Sequence, residues 1–155
     1  MTSSSSKQPP DAQRLERILR SSAVVAGGFL GSDSRPLEEI VDDDARRLAL
    51  LGLTAAQVAR RMREVTDEAK RGLGAPVCVG DNIEVHVSDT RGMMPCPWPH
   101  GGRYSKIVTT VRRTDTGSSL SWSDLGIHMI EAHGFFEGRG ARFRLEPEDL
   151  AAVLF

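Results

Sequence analysis

From Leu37 onward, apolar residues recur three and four apart. Leu37, Ile40, Val41, Leu48 and Leu51 fall on one stripe, while Asp42, Asp43, Asp44, Arg46 and Arg47 fall mostly off it, which is the period of an amphipathic helix. Ser34 stands where an N-cap is expected, and Pro36 sits in the first turn, where a missing N–H costs nothing. Gly52 stops the helix by adopting the left-handed conformation just past its end. A second helix follows at once. Thr54-Ala-Ala-Gln57 has the form of a capping box, Leu53 is placed as a hydrophobic staple for Val58, and Val58, Met62, Val65 and Ala69 make the buried stripe as far as Gly72 or Gly74. A Gly-Leu link leaves these helices no choice but to fold back on each other. A shorter helix, capped by Asp11 and carrying Leu15, Ile18 and Leu19 on one face, precedes them.

After Gly74 the period changes to two. Ile83, Val85 and Val87 alternate with Glu84, His86 and Ser88, as a half-buried strand requires. Pro76 to Val79 reads as an earlier strand. Lys106 to Arg113 and Ser118 to Trp122 read as strands around the turn signal Asp115-Thr-Gly117. Arg91 to Gly102 reads as an irregular Pro- and Gly-rich loop. A helix is expected from about Ser123 to His133, closed by Gly134, then a last strand over Arg142 to Leu145 and a terminal helix over Pro147 to Leu154. The fold class is therefore α+β: an N-terminal helical hairpin followed by an antiparallel sheet with one packed helix. Residues 1–10 are Ser-rich, end in Pro-Pro and are expected to be a disordered tail. Residues 11–155 are expected to form one α+β domain, with a helical part at 11–74 and a sheet-plus-helix part at 75–155.

Composition narrows the picture. The 155 residues are 39% hydrophobic and 26% charged but only 5% aromatic, so aliphatic side chains must fill most of the core. Two cysteines, Cys78 and Cys96, make no disulfide framework, and a reducing, cytoplasmic setting is the expectation. The run Ser22 to Gly31 resembles a short signal segment, but Asp11 and Glu16 before it and the glycines within it argue otherwise. The net charge of -1 excludes wholesale electrostatic attraction to nucleic acid. Residues 91–145, however, hold eight Arg or Lys against four acids.

The densest chemistry is Cys96-Pro-Trp-Pro-His100, followed by His128 and His133 on the expected helix. One thiol and three imidazoles suffice for a tetrahedral metal site, zinc being the natural ion, and Cys96, His100, His128 and His133 are its candidate ligands. Helical geometry objects. At about 100° per residue, a separation of five puts the two helix imidazoles about 140° apart, too far for one ion unless the helix end unwinds. The competing reading needs no metal: His133 lies on the apolar stripe of Leu125, Met129 and Ile130, and His128 lies beside Asp124 on the polar side. Cys78 and His86 are substitute ligands.

Two further functions fit the residues. Cys96 is a candidate catalytic nucleophile with a neighbouring histidine as base, in a thiol- or metal-dependent hydrolase, although no nucleophile elbow, phosphate loop or HExxH accompanies it. Arg103, Lys106, Arg112 and Arg113, interleaved with Trp98, Tyr104, Phe143 and Arg144, form a candidate binding surface for a partner such as nucleic acid. The helix-turn-helix reading of Gly52 to Met62 fails, because Arg63 to Lys70 simply continues the helix. No membrane partner is expected, and the oligomeric state is left open.

Two resemblances attach to these residues. The order of knuckle, hairpin and helix over 95–134 resembles treble-clef zinc modules, which imply a structural zinc ion. The chain departs from them in having one cysteine rather than pairs, and helix ligands five apart. Leu51-Gly-Leu-Thr54, Arg91-Gly-Met-Met-Pro-Cys-Pro97, Trp122-Ser-Asp-Leu125 and the stretch His128 to Gly140 are similar to segments of a group of small bacterial proteins of unassigned function. That similarity implies a soluble intracellular protein and no particular activity.

Overall fold

A computed structural model describes residues 10–22 and 25–155. Residues 1–9 of the expected tail lie outside the described residues, and Pro10 opens the first helix. In chain order the elements are α1 (Pro10–Arg20), α2 (Leu37–Leu50), α3 (Ala55–Arg71), β1 (Val77–Val79), β2 (Ile83–Val87), β3 (Met93–Pro95), β4 (Arg103–Ser105), β5 (Val108–Arg113), β6 (Ser119–Ser123), α4 (Asp124–His133) and α5 (Pro147–Leu154). The class is α+β, as the periodicity requires.

The helical hairpin forms as the sequence predicts. Gly52 takes φ 74°, and the Leu53 amide bonds back to the Leu48 carbonyl at 3.0 Å. Thr54 and Gln57 cap α3 reciprocally: the Gln57 amide donates to the Thr54 hydroxyl and the Thr54 amide to the Gln57 side chain. The start of α2 is different. Ser34 is not its cap. The helix begins at Leu37, whose amide donates to Glu16 Oε1 on α1 at 2.9 Å. A carboxylate from another helix has replaced the local cap and ties α1 to α2.

Strands β1, β2, β5 and β6 form an antiparallel sheet in that order. The registers Val85↔Val111↔Leu120 and Val87↔Thr109↔Trp122 put these residues on one face, which packs on α3. Here Met62, Val65, Val85, Val111 and Trp122 are almost wholly buried. The Trp122 indole N–H donates to the Thr66 hydroxyl, which also accepts from Thr109. The opposite face carries Glu84, His86, Thr110, Arg112 and Ser121 and is largely polar.

Two expectations fail at the C-terminal side. Arg142 to Leu145 is not a strand; it is a turn and a short extended stretch, anchored by one Leu145 amide bond to the Phe136 carbonyl. Residues 91–102 are not wholly irregular: β3 and β4 pair in a two-stranded ribbon, with Met94 opposite Tyr104. The Cys96 amide closes the ribbon onto the Gly102 carbonyl at 3.0 Å.

A second, smaller apolar cluster gathers Leu19, Phe29, Leu30, Ile40, Leu125, Met129 and Phe135 beneath that ribbon. Its lid is a contact between two loops. Gly138 donates to the Phe29 carbonyl and Ser32 to the Arg139 carbonyl. A Cβ at Gly31 or Gly138 would come within 2.3 Å of the facing backbone, so only glycine permits this approach. Asp44, read from the sequence as a polar-face residue, is fully buried. It accepts two hydrogen bonds from Arg144, at 2.6 and 2.8 Å, so it faces the interior because its partner arrives there from the far end of the chain.

Candidate metal centre

The ribbon delivers Cys96 and His100 to the C-terminal half of α4. Pro97 and Pro99 stiffen the turn between them, and the Trp98 amide points at the Cys96 sulfur, an arrangement that favours thiolate. Helix α4 is capped by Ser123, whose hydroxyl accepts from the Gly126 amide. It ends at His133 with Gly134 at φ 63° and the Phe135 amide bonded to the Met129 carbonyl. The Gly134 amide also bonds to the Ile130 carbonyl at 3.0 Å, the five-to-one bond of a left-handed helix stop, so the helix does not unwind to bring its histidines together.

They meet all the same. His128 Nε2 lies 3.0 Å from His100 Nε2, and His133 Nε2 lies 3.4 Å from His100 Nε2. Cys96 Sγ lies 3.6 Å from His133 Nε2. All four ligand atoms fall within 4.8 Å of one another. The edges of a zinc tetrahedron, from Zn–N near 2.05 Å and Zn–S near 2.3 Å, are about 3.3 Å for N···N and about 3.6 Å for S···N. The separations of 3.4 and 3.6 Å match these edges, and the one of 3.0 Å is somewhat shorter. The objection from the helical wheel thus falls. The two helix rings lie edge to face with centroids 5.3 Å apart, and His100, reaching in from the ribbon, meets both.

The imidazoles are also held in place. Trp98 stacks on His133 at 4.1 Å and 5°, and Tyr104 stacks on His128 at 4.1 Å and 16°. Both aromatics, expected as platforms for nucleic-acid bases, instead clamp the cluster. Burial holds His133 down to about 4, with help from His128 and His100, and burial likewise lowers His128. Burial pushes the Cys96 thiol up, against the Trp98 amide. Burial thus favours the neutral form of His128 and His133, with lone pairs available. Cys96 is 7% exposed, while His100 is exposed and the other two histidines are half-buried. One contact opposes loading: the Gly102 amide donates to His100 Nδ1 at 3.2 Å. A metal on Nε2 leaves the proton on Nδ1, so that amide must turn away.

Although His128 was expected beside Asp124 on the polar side, Asp124 pairs instead with Lys70 at 3.2 Å. Cys78 and His86 are exposed on β1 and β2 and do not join the cluster. The basic candidates are dispersed in character. Arg113 is held in a two-pronged contact with Asp115, and Arg112 lies 4.0 Å from Glu84. Arg144 is 6% exposed in its ion pairs with Asp44 and Glu146. Among the described residues, Arg103 and Lys106 are exposed and ion-paired to nothing. Among the described helices none is long and apolar enough to cross a membrane. The chain matches no family model, no curated protein and no solved structure.

Proposed function

We propose that Cys96, His100, His128 and His133 hold one zinc ion as a structural staple in a small binding module. The observation that carries this is the convergence of three Nε2 atoms and one thiol sulfur to within 4.8 Å of one another, with the Cys96–His133 and His133–His100 separations at tetrahedral edge lengths. With each ring proton on Nδ1, three Nε2 lone pairs and a thiolate face one another, and a single cation satisfies all four. Four protein donors fill a tetrahedral shell, which is the mark of a structural site rather than one open to substrate. The observed order of ribbon, hairpin and helix supports the likeness to treble-clef modules. The staple fixes β3–β4, which leads to the unpaired charges of Arg103 and Lys106. These two cations are the core of the basic surface through which the module binds a polyanion such as nucleic acid.

The hydrolase reading has less support. Cys96 is buried, its thiol is held in the protonated form, and its nearest base shares the proposed shell.

Metal analysis of the purified full chain tests the staple. About one equivalent of zinc is expected, falling well below one in Cys96→Ala and His133→Ala. Cobalt substituted for zinc should show a sulfur-to-metal charge-transfer band that Cys96→Ala removes. Substoichiometric metal in the unaltered protein, with no cobalt band, retires the site. Oligonucleotide affinity that falls steeply with salt and drops in Arg103→Ala and Lys106→Ala supports the binding surface; affinity indifferent to both overturns it.

A further inference from the structure

Glu137 is 5% exposed, yet among the described residues no group hydrogen-bonds its carboxyl. Its backbone sits at φ 68°, a conformation that side-chain-bearing residues adopt at a cost. The surroundings enforce it. Arg144 donates to the Glu137 carbonyl at 2.8 Å, and Gly138 is locked against Leu30. Arg144 cannot serve the carboxyl, because its guanidinium is engaged by Asp44 and Glu146. Burial raises Glu137 to about 8, with Arg144 pulling the other way. A strained backbone therefore holds an unpartnered carboxyl in a nearly buried position, with its oxygens still in contact with solvent, where an apolar residue would cost less.

That carboxyl opens onto a cleft of about 250 Å³ between β3, the start of β5 and the two zipped loops. Phe29, Met94, Val108 and Phe143 give it apolar walls. Lys106 and Arg142, both exposed, stand at its mouth. Neither is ion-paired, and the Arg142 guanidinium lies over the Phe143 ring at 5.0 Å. An apolar chamber with a few convergent polar groups is the usual form of a small-molecule site. This one has two cations outside and a hydrogen-bond acceptor within.

We propose that the cleft binds a small aryl or alkyl carboxylate bearing a hydroxyl or amine at its far end. Lys106 and Arg142 hold the carboxylate at the mouth, and Glu137 hydrogen-bonds the donor on the floor. None of Lys106, Arg142 and Glu137 is a candidate metal ligand, but the walls include Met94 of β3 and Phe29, so the proteins are compared at equal metal content.

The test uses the full chain and three probes that share one ring: 3-(4-hydroxyphenyl)propionate, 3-phenylpropionate, which lacks the donor, and 4-ethylphenol, which lacks the anion. Binding is read from amide shifts at Thr90, Val108, Glu137 and Gly138. The first probe should bind best, with about tenfold lost on removing either end, because each leaves a site group unpaired. In Glu137→Met the preference for the hydroxyl should vanish while stability stays level or rises, as expected when a residue kept for binding is replaced by one that suits burial. In Lys106→Gln the preference for the carboxylate should shrink. The proposal is overturned if no probe moves these amides at about 10 mM, or if all three bind alike. Glu137→Met that loses stability and leaves the probe order untouched also overturns it, by assigning Glu137 a purely structural part.

Discussion

Around Met62, Val111 and Trp122 the interior is aliphatic and continuous, whereas around Phe29, Leu30 and Cys96 a smaller cluster is fenced by ions and imidazoles. Among the described residues the first cluster has seventeen buried members and the second eight, so the second has much less apolar area with which to order its loops. Polar ties make up the difference. Asp33, itself buried, binds Arg35 and the Arg139 amide. Arg144 joins Asp44, Glu146 and the Glu137 carbonyl. Arg47 reaches both Glu146 and Glu148. The four-ligand cluster closes the ribbon. Helix α4 serves both sides, giving Ile127 and Ile130 to one and Leu125 and Met129 to the other. Where apolar periodicity runs out, directional contacts take over, and that is where the chemistry gathers.

The largest effects should separate the two regions. Trp122→Ala, in the aliphatic cluster, should cost about 3–5 kcal/mol in urea denaturation and leave the metal content of the folded protein unchanged. Loss of metal at equal folding would show that the regions are not separable. Asp44→Ala should cost a similar amount, about 3–5 kcal/mol, because it leaves Arg144 buried beside only a partly exposed Glu146. The double replacement Asp44→Leu with Arg144→Met should recover most of that loss, since an apolar pair of similar volume often replaces a buried ion pair without penalty. A double variant no better than the single one would give this pair a role beyond mutual neutralisation.

Chelation should come next. Metal present at about a hundred times its Kd contributes roughly 2.7 kcal/mol, and its removal should be felt unevenly. Hydrogen exchange should speed up over residues 93–105 and in the loop bearing Phe29 and Leu30, while the amides of Val85 and Val111 stay protected. Equal loss of protection in β2 and β5 would make the two regions one cooperative unit.

Glu137 gives the comparison a pH signature. Its folded value, about 8, lies above the ordinary 4.5, so between those values the folded state holds a proton that the unfolded chain has released. Stability contributed by this group is complete below about pH 4.5 and declines as pH rises toward 8. The difference between the unaltered protein and Glu137→Gln should trace that decline, on the order of 2 kcal/mol once the surroundings relax. A difference that does not change with pH would mean that the carboxyl is better solvated than its position between Arg144 and the cleft implies.

The same division governs what could be read from the sequence. The strand Ile83 to Val87, the capping box at Thr54 and the left-handed stop at Gly52 were legible because one-sided burial imposes a period and caps are local. Strands β3 and β4 were not. Each has three residues, set among Pro and Gly, and so offers no period to detect. The metal ligands were legible as residue types but not as a geometry, because a helical wheel gives the directions in which side chains leave the axis and not the reach of the rings or of His100 from another element. Asp44 and Glu137 left no local trace. Asp44 is buried by a partner a hundred residues away, and Glu137 follows Phe135-Phe136 in a segment that reads as an ordinary loop.

Helix caps carry the smallest effect and the finest version of the contrast. Helix α3, in the aliphatic region, is capped by its own Thr54, so Thr54→Ala should cost about 1 kcal/mol and lower stability everywhere at once, because α3 unfolds only with the core. Helix α2 borrows its cap from Glu16 on α1. Glu16→Ala should cost no more, about 1 kcal/mol, but should be felt locally. It cuts the hydrogen bond between two elements whose other ties are the small apolar cluster and a few ions. Exchange at the Leu37 amide and along α1 should quicken, with that at Met62 unchanged. If Met62 responds to Glu16→Ala as strongly as to Thr54→Ala, the borrowed cap is as much a part of the main core as the local one, and the boundary between the two regions lies elsewhere.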